Sequence, residues 1–319
     1  MNKFKCYFIL LITTVSFFSC TKNDNSVDIP PPREFAVQYA TDNTDIEEYL
    51  KTNYITVVDQ PGSIDDQNVT ISKITAGQTS IWDQKTYELK SRDVSLHDIT
   101  YKVYYLVLRQ GKGSSPSNVD GVLAAYHGEY LQRTVTTGTE TALTSTLFEE
   151  VKYPQQFFSL LSTISGWGEI FPQFKTGTNT PNADGTVSNF DFGAGVMFLP
   201  SGLGYFNSGS GAIPGYAPLV FSFKLFEIQR LDQDADGVPS YLEDLNGDNY
   251  MKIVATGVVN PDDTDGDGIP NFIDKDDDGD NYATAFEIKN PATGAAYPFA
   301  DIPTCTSGKK NYLDISCHP

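Results

Sequence analysis

ISGWGEIFPQFKTG, residues 164–177, and FLPSGLGYFNSGSGAIPGYAPLVFSFKLFEI, residues 198–228, are the two stretches on which a reading of the fold turns. In the first, Trp167, Ile170 and Phe171 recur at helical spacing after Gly166, which predicts one short helix, with Pro172 sitting awkwardly beyond its first turn. In the second, a Gly-rich loop precedes LVFSFKLFEI (219–228), whose alternation is that of a strand. Working outward, Tyr101, Val103, Tyr105 and Val107 alternate in a run that begins at Ile99, GKGSSPSN (111–118) is a loop by composition, and DGVLAAY (120–126) and GVMFL (195–199) add strands. Several strands around one short helix make the expected fold class α+β.

VLAAYHGEYL (122–131), TLFEEV (146–151), the IxGW of residues 164–167, the GYxxxxxGAIP of 204–214 and the LVFxFxL of 219–225 occur in that order. This ordered set resembles FKBP-type peptidyl-prolyl cis-trans isomerases over roughly residues 96 to 230, and YKVYYLVLRQGKGSSPSNVDGV (101–122) resembles the strand, loop and strand that open the domain in exported bacterial members. The resemblance implies a curved antiparallel sheet wrapped around a short helix, with an apolar pocket between them. Carried over by position, the pocket floor is Trp167 and its walls are Tyr126, Phe148, Phe157 or Phe158, Ile164, Ile213 and Phe221. Tyr205 matches the loop tyrosine whose hydroxyl meets a substrate carbonyl, and the backbone N–H of Ile164 would hold another.

The implied reaction needs no nucleophile. Twisting an X-Pro amide crosses a barrier of roughly 18 to 20 kcal/mol without breaking a covalent bond. An apolar, water-poor cradle favours the less polar twisted amide over the planar one. Proline-containing polypeptides are the implied clients. Glu149 stands where the family has Asp, Thr163 where it has an apolar residue, and the polar stretch 178–194 and the long segment between Tyr126 and Phe148 are insertions. These departures leave open a second reading, a module that binds peptides without turnover.

Directly after the last strand the chain turns acidic: residues 232 to 287 hold 16 acidic and 2 basic residues, a net −14 out of −19 for the whole chain. A calcium loop takes oxygen ligands at positions 1, 3, 5, 7 through the backbone, 9 and 12, with Gly at 6. Asp232, Asp234, Asp236, Gly237, Val238, Ser240 and Glu243 meet that pattern. Asp263, Asp265, Asp267, Gly268, Ile269, Asn271 and Asp274 repeat it with Asp in the last place, and Asp276, Asp278, Asp280, Tyr282, Thr284 and Glu287 repeat it with Asn281 at the turn. Asp244, Asn246 and Asp248 start a fourth loop without an obvious closing carboxylate. DTDGDGIPNFIDKDDDGDN (263–281) resembles thrombospondin type 3 calcium repeats. Calcium, a structural cofactor, is expected to supply the folding energy that so few apolar residues cannot.

At the other end, Lys3 and Lys5 precede an apolar run from Tyr7 that reaches Cys20, shorter than the roughly 20 residues of a membrane span. The run reads as a signal peptide, residues 1–19, and the small residue before Cys20 resembles a lipobox, although Phe17 holds the place of the usual Leu. With the lipobox, Cys20 carries the lipid, and Thr21 after it favours the outer membrane; an ordinary signal peptide is the alternative. Residues 20–95 are then a Pro-rich tether and an accessory region with a short helix at 45–51 (DIEEYLK), residues 96–230 the FKBP-like domain, and residues 231–319 the calcium segment. Cys305 and Cys317 remain as a disulfide pair of an oxidising compartment, or, with His318, as an incomplete metal site. The acidic balance supplies no basic face for nucleic acid. HExxH, GxSxG, GxxxxGK[ST] and a strand-to-helix GxGxxG are all absent from the sequence.

Overall fold

A computed structural model describes residues 31–136 and 139–317; the signal peptide, Cys20 and His318 lie outside the described residues. A long helix, α1 (Phe35–Thr52), comes first, followed by a small hairpin of β1 (Asn53–Val57) and β2 (Val69–Lys73). The main sheet takes β3 (Glu88–Leu96), β4 (Ile99–Arg109), β5 (Gly121–Thr136), β6 (Thr139–Val151), the two-residue β7 (Phe158–Ser159), β10 (Gly193–Leu199) and β11 (Leu219–Gln229). Its order is β3-β4-β10-β11-β5-β6 with β7 beside β5, and every pairing is antiparallel. Between β7 and β10 lie the short helix α2 (Ser165–Ile170) and a separate hairpin of β8 (Thr178–Pro181) and β9 (Val187–Phe190), which is what the inserted stretch 178–194 becomes. The result is α+β, with antiparallel sheets and few helices.

Strand periodicity explains how the sheet is filled. Along β4, Tyr101, Val103 and Tyr105 face one core with Met197, Leu199, Phe221, Phe223 and α2, whereas Tyr104 and Leu106 face a second core with Val196, Phe198 and Val220. The central strand β10 is therefore buried along its whole length. The second core is closed by Ile46, Tyr49 and Leu50 of α1. Each of these side chains is worth roughly 1.5–3 kcal/mol when fully buried, as an upper bound.

Two sequence expectations change here. The helix expected over 45–51 runs from Phe35, because its first turns have tertiary partners: Tyr39 meets the edge of Tyr101 at 5.0 Å, and Asp42 accepts from Ser201 N (2.7 Å) and Ser201 Oγ (2.6 Å). The sheet also begins at Glu88, so the stretch called accessory supplies an edge strand and a helix that packs on one sheet face. Pro172 is accommodated because α2 stops at Ile170 and passes into a 3-10 turn, Phe171–Gln173. From Arg33 onward the chain forms one unit that includes the acidic residues. Among the described residues no helix is long and apolar enough to cross a membrane.

Candidate functional site

Helix α2 is short, and the residue before it, Ile164, has an extended backbone (φ −62°, ψ 142°) that turns the chain into the helix. One turn in, Trp167 is carried under a cavity of about 590 Å³ lined by Tyr126, Phe148, Glu149, Phe158, Ile164, Tyr205 and Phe221 together with Ser162, Thr163, Ser165 and Gly204. Three rings stand edge-on around the indole: Phe158 at 4.8 Å, Tyr126 at 4.9 Å and Phe221 at 5.1 Å between centroids. Phe148 meets Phe221 edge-on at 5.6 Å. Such edge-to-face packing fixes ring orientation beyond area burial. Trp167 is 5% exposed, and its indole N–H is buried without a hydrogen-bond partner.

One hydrogen bond joins two of the lining residues. Tyr126 Oη donates to Glu149 Oε2 at 2.9 Å, and burial together with that carboxylate pushes the Tyr126 hydroxyl well up. Glu149 on β6 thus reaches the tyrosine of the neighbouring strand β5. Of the two candidate phenylalanines, Phe158 lines the cavity and Phe157 does not. Ile213 differs from expectation: it packs in the core, 5% exposed, and is not a wall. Gly128 went unread in the sequence, where a strand glycine carries no periodic signal. A Cβ there would meet Phe148 Cζ at 2.6 Å and Phe221 Cε1 at 2.9 Å, so the rings lie over β5 only because the side chain is missing.

Behind α2 the acidic residues are anchored. Tyr250 Oη donates to Glu169 O (2.9 Å) and accepts from Gln173 Nε2 (2.7 Å), while the Arg92 guanidinium stacks 3.6 Å over the Tyr250 ring. Asn118 and Met251 exchange two hydrogen bonds, of 2.7 and 2.9 Å. Val119, Met251 and Phe272 form a small apolar cluster at this seam.

The four acidic loops share one backbone design. In the loops that begin at Asp232, Asp244 and Asp263, the first carboxylate accepts from N–H groups three and five residues on: Ala235 and Gly237, Gly247 and Asn249, Gly266 and Gly268. In the Asp276 loop it accepts from Asn281, five residues on. The sixth position is left-handed in all four, with φ of 102°, 66°, 98° and 74° at Gly237, Asn249, Gly268 and Asn281, which is why Asn can stand for Gly there. Carboxylates gather at Asp232, Asp234 and Asp236, at Asp263, Asp265 and Asp267, and at Asp276, Asp278 and Asp280, each set offering oxygens within 4.8 Å of one another. Glu243 and Glu287 are almost fully buried with both oxygens unpartnered, and burial pushes them up to about 10 and about 8.

The residues expected at position 9 behave differently. Ser240 Oγ, Asn271 Oδ1 and Thr284 Oγ1 accept from the N–H of the second loop residue, at 3.0, 3.0 and 3.3 Å, so each braces its own loop. Asp274, expected to close its loop, lies outside the Asp263 group and accepts from Asp276 N. In the Asp244 loop, buried Asp262 plays the bracing part by accepting from Leu245 N at 2.9 Å. Val238, Ile269 and Tyr282 occupy the seventh positions, each with its N–H donated to the loop's fifth residue. Cys305 and Cys317 form a disulfide.

Sheet and cavity define an α+β protein with an aromatic-floored pocket, joined to a four-loop acidic segment. The acidic residues 233–312 match the BamM C-terminal family model. The likeness to thrombospondin repeats stays one of Asp spacing. No curated protein matches the chain. Among solved structures, a peptidyl-prolyl cis-trans isomerase from Pseudomonas syringae pv. tomato is similar at 17% identity, covering 63% of this chain and 99% of that one, TM-score 0.34. FkpA from Escherichia coli is similar at 24% identity over 40% of this chain and 48% of its own, TM-score 0.26. The three FKBP domains of wheat FKBP73 follow at 14% over 44% and 50%, TM-score 0.31, so this chain spans about half the length of these two.

Proposed function

We propose that this chain catalyses cis-trans isomerisation of X-Pro bonds in polypeptides of the cell envelope. The observation that carries the reading is the cavity of about 590 Å³ over Trp167, walled by three rings held edge-on to it. A proline ring is small, apolar and flat enough to rest on the indole, where water is displaced. The aromatic walls favour the twisted amide, whose carbonyl has lost conjugation. Tyr205, on the cavity rim, offers a hydroxyl to a substrate carbonyl, and the Ile164 backbone N–H offers a second donor. Glu149 holds the Tyr126 hydroxyl, which keeps that wall in place.

The acidic loops are read as calcium sites. Their donors are oxygens throughout, several buried and unpartnered, as a hard cation requires. The ligands proposed are Asp232, Asp234, Asp236 and Glu243, then Asp263, Asp265 and Asp267, then Asp276, Asp278, Asp280 and Glu287, with backbone oxygens of Val238, Ile269 and Tyr282. Bound calcium supplies the positive charge that this segment lacks. Lipidation at Cys20 and attachment to the outer membrane complete the proposal, the latter supported by the BamM C-terminal match.

A proline-peptide isomerisation assay tests the activity. The calcium-loaded wild type is expected to accelerate exchange, and Trp167→Ala to lower that rate by about 10- to 100-fold, the loss of one aromatic surface of 1.5–3 kcal/mol. A folded wild type with no rate above the uncatalysed one overturns it. Saturable binding of the same peptide would then favour the second reading, peptide capture without turnover, for which the polar wall residues Ser162, Thr163 and Ser165 speak.

A further inference from the structure

The spacing rule for calcium loops selects positions 1, 3, 5, 7, 9 and 12, and Asp277, at the second position of its loop, escapes it. Its N–H is held by Thr284 Oγ1, and its side chain does not join its own loop's cluster of Asp276, Asp278 and Asp280. It meets the first acidic loop instead. One oxygen each of Asp236, Glu243 and Asp277 lie within 4.8 Å of one another, although the chain separates Asp277 from Glu243 by two further loops. All three are nine-tenths buried or more, at 4%, 0% and 1% exposure.

Five of their oxygens have no hydrogen-bond partner: Asp236 Oδ2, both of Glu243 and both of Asp277. The hydroxyl of Tyr312, 1% exposed, is likewise buried without a hydrogen-bond partner. Tyr312 packs with Val238, the seventh residue of the first loop, in the apolar cluster of the tail. An isolated buried carboxylate costs several kcal/mol, and three facing one another cost more, so the arrangement holds either protons or a bound cation. Among the described residues no lysine, arginine or histidine forms an ion pair with any of them.

We propose that Asp277 completes, with Asp236 and Glu243, a buried calcium site that ties the Asp276 loop to the Asp232 loop, as a cross-link within the segment. The donor set is all oxygen and three-fold anionic, which suits a hard divalent cation taking six to eight oxygens and gives no foothold to a thiolate- or imidazole-seeking metal. The site rests on the calcium reading of the loops, and it adds a ligand and a connection that the loop pattern does not contain.

The test uses the mature chain with calcium chloride, counting bound ions by native mass spectrometry and measuring affinity by calorimetry. Asp277→Asn, Glu243→Gln and the double variant are each expected to lose the same single ion or to bind it at least about tenfold more weakly, with Asp265→Asn losing a different one. Should Asp277→Asn not fold, Asp277→Glu takes its place; its longer side chain is expected to keep the ion at affinity lowered about tenfold, and wild-type affinity overturns the proposal. A wild type that binds calcium while Asp277→Asn keeps full count and affinity overturns the cross-link and leaves the loops as calcium sites. A double variant that loses two ions where each single loses one also overturns it. A wild type that binds no calcium removes the loop reading itself.

Discussion

Two halves of this chain keep water out in opposite ways. The sheet half does it with apolar surface: Tyr101, Phe171, Phe174 and Phe198 are fully buried, with α2 packed on one sheet face and α1, Ile81 and the β1–β2 hairpin on the other. The acidic half has two apolar clusters of only a few residues each, around Tyr312 and around Phe272, and buries carboxylates beside them. One half can fold on the hydrophobic effect; the other holds a net −14 in 56 residues and needs a counter-charge that its own side chains do not provide. The seam between them runs along the C-terminal end of α2, the helix whose first turn floors the cavity.

The sharpest way to break the comparison is to remove divalent cations. Chelator is expected to expose residues 232–287 to protease while the sheet half keeps its protection, since each site filled at 100 times its Kd contributes about 2.7 kcal/mol. Limited proteolysis with mass mapping reads this, and equal resistance of both halves with and without chelator contradicts it. The converse experiment attacks apolar burial. Leu50→Ala, at a fully buried site in α1, is expected to cost about 2–5 kcal/mol in the sheet half whatever the calcium level, measured by urea unfolding. A loss under 1 kcal/mol would mean that α1 does not help to close the core.

A third effect, confined to a pH window, concerns a charge inside the apolar half. Burial pushes Asp42 up to about 6 despite three accepted hydrogen bonds from Ser201 and Gln38. The folded chain therefore holds this proton more tightly than the unfolded chain. The stabilisation is complete below about pH 4 and is lost as pH rises through 6, by roughly 3 kcal/mol in all. Asp42→Asn stays neutral, so the stability of wild type relative to this variant is expected to fall between pH 4 and pH 7. A constant difference in thermal midpoint across that range refutes the assignment.

Much of the candidate site was legible because it is local or ordered. Trp167 announces itself within a short apolar helix, the alternation of Tyr101 to Val107 and of residues 219–228 places their strands, and Asp at every second position marks the acidic loops. What escaped has no local signature. Gly128 matters through rings on two other strands, and α1 starts ten residues before its apolar spacing because Ser201 and Tyr101 lie waiting for its first turns. Phe157 and Phe158 are adjacent and chemically identical, so only strand register decides which one meets Trp167.

The amino-acid sequence by itself determined the chemistry available: an ordered set of aromatics, and an inventory of carboxylate oxygens. Side-chain type and spacing carry that information over a few residues, the range of a helix turn, a strand or a loop. Only the tertiary structure decided which oxygens face one another. Asp277 looks like one more residue in a solvated acidic run until the chain brings it beside Asp236 and Glu243, because the energy of a buried charge depends on neighbours that arrive from elsewhere in the fold.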